Sequence, residues 1–180
     1  MRNLRILPLL IFLLLGAVGI AALFALGAGV SVDLKAPDGD GWKVLLGGLH
    51  AGVCLLAPLL IAVIASRVTE IERAGNGWLL FAASGTTPGQ LCRAKFLALG
   101  APLAAVCVLW GLCVPVWGAL LGVPAPVPTG RIFAYTASVC VISLVILALQ
   151  ILISLASDNQ LLAVGAGMLG VLLSMIGAMA

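Results

Sequence analysis

Charge is what this sequence has least of. Its 180 residues hold 9 Lys+Arg and 6 Asp+Glu, so only 8% are charged. A soluble domain carries about 25% charged residues, and water cannot be the solvent for most of this chain. An ordinary soluble domain, a disordered chain and a nucleic-acid binder are excluded together. Histidine is nearly absent, with His50 alone. A zinc site needs about four clustered ligands, and no pair among the cysteines has CxxC spacing. Cys54, Cys107, Cys113 and Cys140 sit in apolar runs and Cys92 sits beside Arg93. Such cysteines read as small hydrophobes, and no water-exposed pairing suggests a disulfide framework. There is no GxSxG motif and no pair of aspartates in an apolar run, which argues against intramembrane proteolysis. A P-loop is missing as well, so ATP hydrolysis by the usual machinery is not expected of this chain.

What the chain has in quantity is apolar length. Hydrophobic residues make up 63% of it and the mean hydropathy is +1.29. Its few charges divide it into neutral stretches at 6–32, 44–66, 96–130, 132–157 and 159–180. A helix needs about 20 apolar residues to cross roughly 30 Å of hydrocarbon, and each stretch suffices for one crossing. The third ends in a connector with Pro124, Pro126 and Pro128 in alternate positions, which is extended chain and not helix. The reading is one all-α, polytopic membrane domain over residues 1–180. Its five spans lie near 6–30, 44–66, 94–120, 132–155 and 160–179. Arg2 and Arg5 before the first stretch suit a secretory signal, but that stretch exceeds the roughly 7–15 residues of a signal core. A retained span is expected.

Lysine and arginine set the orientation. Arg2, Arg5, Arg67, Arg73, Arg93 and Lys95 fall on one side; Lys35, Lys43 and Arg131 fall on the other. The N-terminus and the 67–93 segment are therefore expected in the cytoplasm, and the 31–43 loop and the Pro-rich connector outside. Ionisable groups at membrane depth usually mark ion or proton paths. Here only His50 and Gln150 bring strong polarity to depth, with no carboxylate partner in sight. A snorkelling or inter-helix hydrogen-bonded His50 is expected in place of a proton relay. Trp110 and Trp117, on the outer half of the third span, suit either contact with an apolar substrate or anchoring at the interface.

Small residues recur every fourth position at Ala17, Ala21, Ala25 and Gly29, and again at Ala166, Gly170, Ser174 and Ala178. Gly48 with Gly52 and Gly118 with Gly122 add GxxxG pairs. Such stripes let helices approach closely in lipid, either within one chain or between protomers.

Polar chemistry concentrates at 67–95. Residues 69–73 continue the second span. Gly75, Asn76 and Gly77 break it, since glycine and asparagine tolerate left-handed backbone. A short apolar piece follows from Trp78, then a second turn at 84–87. Thr87 is placed to cap the next helix, with Pro88 in its first position and Gln90 as the reciprocal capping partner. The expectation is helix, turn, short interfacial helix, turn, helix.

The stretch 70–95 resembles the cytoplasmic signature of bacterial ABC transporter permeases of the type-2 exporter superfamily. It is most similar to the lantibiotic-immunity and bacitracin-type permeases. The matching elements are Glu72, Asn76 with Trp78, Pro88 and Lys95. The resemblance implies a permease that binds no cofactor itself. It would pair with a second permease subunit and with separate ATP-binding subunits, which hold ATP and Mg. Glu70, Glu72, Arg73, Asn76 and Trp78 would form the docking element, and Pro88 and Lys95 would fix the entry of the third span. The cargo implied is amphipathic, antimicrobial peptides or hydrophobic drugs, and the site of action the bacterial plasma membrane. Members of that superfamily normally have six spans, where five are read here. Two other readings stay open: a helical scaffold or accessory subunit that transports nothing, and a membrane enzyme built around His50 and Gln150.

Overall fold

Hydrocarbon offers nothing to a backbone N–H or C=O, so an apolar stretch of this length must close its hydrogen bonds within itself. The structure, a computed structural model, describes residues 40–75, 77, 83–85, 87–156 and 160–179. Among these residues there is no strand, and nearly all lie in four helices. They are α1 (Asp40–Ala74), α2 (Pro88–Leu120), α3 (Thr129–Ala156) and α4 (Gln160–Met179). Among the described residues, three segments are long and apolar enough to cross a membrane: Gly41–Glu70, Pro88–Leu120 and Thr129–Ala156. The chain is a helical, multi-pass membrane protein. The span expected at 6–30, with its small-residue stripe, and the short helix expected from Trp78 lie outside the described residues.

Helix α1 outruns the neutral stretch that announced it. The 35 residues of α1 reach about 52 Å at 1.5 Å each, against roughly 30 Å of hydrocarbon. Its surplus carries Lys43 at one end and Arg67 and Glu70 at the other, all exposed. The start of α2 is set locally. Thr87 has extended backbone, its hydroxyl accepts from the Gln90 amide at 3.4 Å, and its own amide donates to Gln90 Oε1 at 3.0 Å. This is the reciprocal capping box expected from the sequence, with Pro88 just inside the helix.

Gly122 ends α2. It takes φ +72°, a left-handed conformation that costs other residues about 1–2 kcal/mol. Its amide bonds to Ala119 O at 3.2 Å, and the Val123 amide bonds back to Gly118 O at 3.0 Å. That pair of bonds is the Schellman closure. Gly118 and Gly122 therefore do not share a helix face, as their spacing suggested: one packs a helix and the other stops it. The connector 121–128 follows, and Thr129 opens α3.

Helix α3 touches each of the other three, and α1 packs between α3 and α4. Two apolar clusters form along the bundle. Trp42, Leu45 and Leu49 of α1 meet Trp110 and Val114 of α2 and Ile132 of α3. Nearer the 75–87 segment, Ile61 and Ala65 of α1 meet Leu99 of α2 and Leu147 and Ile151 of α3. Glycines make the closest crossings. A β-carbon on Gly111 would strike Thr136, one on Gly118 would strike the Trp42 indole, and one on Gly167 would strike Ala62. Gly170, a member of the α4 stripe, faces Pro58 of α1, so this part of the stripe serves packing within the chain. Prolines sit inside α1 at Pro58 and inside α2 at Pro102 and Pro115. The outward faces carry Leu109, Leu112 and Val116 of α2 with Phe133, Val141 and Val145 of α3. So much exposed apolar surface is foreign to a monomer in water and ordinary against lipid.

Candidate functional site

The two ends of the bundle differ in chemistry. At the 75–87 end, α1 and α2 emerge on either side of the polar segment that sequence reasoning singled out. Glu70 is exposed and pairs with Arg67 one turn earlier, Nη1 to Oε2 at 3.3 Å. Both side chains are half exposed or more, at 65% and 50%, so the pair itself contributes no more than roughly 0.5 kcal/mol. Glu72 and Arg73 lie in the last turn of α1, which ends at Ala74. Asn76 and Trp78 fall outside the described residues. Gly85, with φ +71°, supplies the sharp turn before the cap at Thr87.

Lys95 is placed differently from the other cations here. Only 5% of it is exposed, and its Nζ lies 3.5 Å from Thr69 Oγ1 across the bundle. Thr69 is itself buried and donates to Ala65 O at 3.0 Å, so its oxygen is held in place to receive the ammonium. A buried ammonium is costly unless hydrogen-bonded. The contact therefore fixes the register of α1 against α2 where the two helices enter the polar segment. Of the seven residues the sequence proposed for coupling, the structure describes the side chains of Glu70, Pro88 and Lys95. It sets Glu70 and Pro88 at the surface and Lys95 in the interior. Thr69 was missed. Its only sequence signal is a hydroxyl just past the end of an apolar run, between Arg67 and Glu70, which is common where membrane helices leave the bilayer.

At the opposite end aromatic residues gather. The Trp42 indole is 3% exposed, fills the notch at Gly118 and donates from Nε1 to Ala125 O at 3.0 Å. It thereby satisfies a carbonyl of the proline-rich connector, whose prolines offer no donors. Trp110 and Trp117 meet edge to face, 5.8 Å between centroids. Trp110 belongs to the interior cluster and Trp117 packs at its border, so neither is wholly turned to lipid. His50 meets the Tyr135 ring edge-on at 6.0 Å, and its Nε2 lies 3.3 Å from Cys54 Sγ on the same helix. The hydrogen bond of His50 is thus within α1, where snorkelling or a bond between helices was expected. His50 Nδ1 is buried without a hydrogen-bond partner, while Tyr135 Oη and the Trp110 indole are neighbours just outside full hydrogen-bond geometry. Gln150 is buried on α3 with its amide near Gly167 of α4, more than two turns of α3 from the His50–Tyr135 contact. The two polar residues needed for an enzyme reading do not converge.

Compared with known families, residues 2–176 match the model described as ABC-2 family transporter protein. No curated protein and no solved structure matches.

Proposed function

Since the chain belongs to the ABC-2 transporter protein family and is a non-catalytic permease component of an ABC transporter with an ATP-binding partner, we propose that it is one of two membrane subunits of an exporter. Its cargo is amphipathic peptide, of the lantibiotic or a related antimicrobial kind, or a hydrophobic drug. Work enters from separate ATP-binding subunits, which hold the ATP and Mg, at the cytoplasmic face of a bacterial plasma membrane. The N-terminus is cytoplasmic, the chain crosses five times, and the segment 67–93 is the element the ATP-binding subunit grips.

One observation carries this reading beyond the family: the Lys95–Thr69 contact. A helix-to-helix tie at the root of the polar segment makes the last turns of α1 and the first turns of α2 move together. A push received by Glu70, Glu72, Arg73, Asn76 and Trp78 is then delivered to two spans at once. Loose roots would dissipate it, because packed elements transmit motion only as units. Pro88 and the capping box stiffen the second root.

Purification of the tagged chain in mild detergent tests the proposal. An ATPase should co-purify, and Glu72→Ala or Trp78→Ala should strip it away without changing membrane insertion. A preparation that holds another membrane protein and no ATPase would replace this reading with that of a scaffold.

A further inference from the structure

Between α2 and α3, close to the 75–87 end, lies an open cleft of about 420 Å³. That is within the roughly 300–1,000 Å³ of small-molecule sites. One wall is Cys92, Arg93 and Phe96 of α2; the other is Ala148, Ile151 and Leu152 of α3. The walls are almost wholly apolar, and the one charge is the Arg93 guanidinium. Arg93 is exposed, and no described residue pairs with it. It lies five residues inside α2, about 8 Å along the axis, at the level where hydrocarbon gives way to headgroups. The neighbouring cation, Lys95, turns inward to Thr69, so among the described residues Arg93 is the cation at the cleft mouth.

We propose that this cleft is a binding site for one anionic phospholipid, with an acyl chain between α2 and α3 and the phosphate on Arg93. Charge complementarity selects the occupant. A fully apolar seam would accept any acyl chain, whereas a guanidinium at headgroup height presents paired donors matched to a phosphate and attracts anionic lipid in particular. Ala148, the smallest side chain in the lining, gives the chain room. The lipid would fill the seam between two helices and tie them at the level of their roots. The inference rests on the proposed orientation, which puts this end in the cytoplasmic leaflet.

The test is native mass spectrometry of the full chain purified from membranes, titrated with phosphatidylglycerol and, separately, phosphatidylethanolamine. The wild type should retain phosphatidylglycerol preferentially. Arg93→Gln should lower that occupancy about fivefold and leave phosphatidylethanolamine unchanged, while Arg93→Lys keeps a partial preference. Ala148→Phe should remove both lipids. Arg131→Gln, at the other end of the bundle, should change nothing. Equal retention of the two lipids by the wild type, or full retention by Arg93→Gln, overturns the proposal. So does a change of oligomeric state without lipid loss in Ala148→Phe, which would make the cleft an interface between copies. No ATPase enters this assay, so failure of the exporter reading shows in co-purification and failure of the lipid site shows here.

Discussion

The Trp42 indole occupies the space that a β-carbon on Gly118 would need, and it reaches past that glycine to the Ala125 carbonyl. One side chain from the start of α1 thus holds the end of α2 and the connector to α3.

Gly118→Ala should destabilise the protein by about 1–3 kcal/mol, because the indole must leave a close-packed site. Trp42→Phe should cost about 1 kcal/mol for the hydrogen bond alone, plus whatever packing the smaller ring loses. Thermal unfolding in detergent checks both. Additive losses in the double variant would show that the two residues do not act as one contact.

The buried Lys95 contact predicts an ordering of effects. Thr69→Val should cost about 1 kcal/mol. Lys95→Ala should cost more, about 2–4 kcal/mol, since it removes both a buried hydrogen bond and a long packed stem. Arg67→Ala, which breaks only an exposed pair, should stay within about 0.5 kcal/mol. If Arg67→Ala proves as damaging as Lys95→Ala in the same unfolding assay, the interior tie is not what holds the roots.

Removal of the α2 cap should act locally. Thr87→Ala should cost about 1 kcal/mol and should raise amide exchange at Gln90 and Leu91, whose N–H groups bond to Thr87. Exchange at Val114, deep in the far cluster, should not change.

Tyr135 offers a test of an unmet hydrogen bond. Its hydroxyl is buried outside full hydrogen-bond geometry, with the Trp110 indole as its polar neighbour, so Tyr135→Phe loses at most a weak contact and should cost less than about 1 kcal/mol. Tyr135→Ala should cost about 3–5 kcal/mol through the cavity it leaves. A marked loss with phenylalanine would mean that the hydroxyl is satisfied after all, by a bound water.

What the sequence made legible was what is local or statistical. Long neutral stretches announced α1, α2 and α3, because hydrocarbon leaves helix as the natural way to satisfy an isolated apolar segment. The cap at Thr87 was legible because its whole mechanism spans Thr87 to Gln90. The connector was legible because alternate prolines permit little else. Pairings between distant positions were not. Trp42 and Ala125 are 83 residues apart and Lys95 and Thr69 are 26 apart, and nothing in either neighbourhood names its mate. The GxxxG at Gly118 and Gly122 misled for a related reason. Spacing does not reveal that the second glycine lies past the helix end, where its φ and not its size is used. Of the coupling residues, Lys95 was read from resemblance as an entry point, and its burial against Thr69 could not be read from the sequence.

The prolines inside α1 and α2 take on meaning from where they fall. Pro58 lies between Ala57 and Ile61, and Pro102 lies between Leu99 and Leu103, so both sit within the apolar cluster nearer the 75–87 end. Each removes one backbone donor and with it one rung of the helix ladder. At that level α3 has no proline and runs unbroken. The hydrogen-bond ladder is therefore interrupted in α1 and α2 where that cluster packs them against α3, and α3 is the helix that stays continuous there.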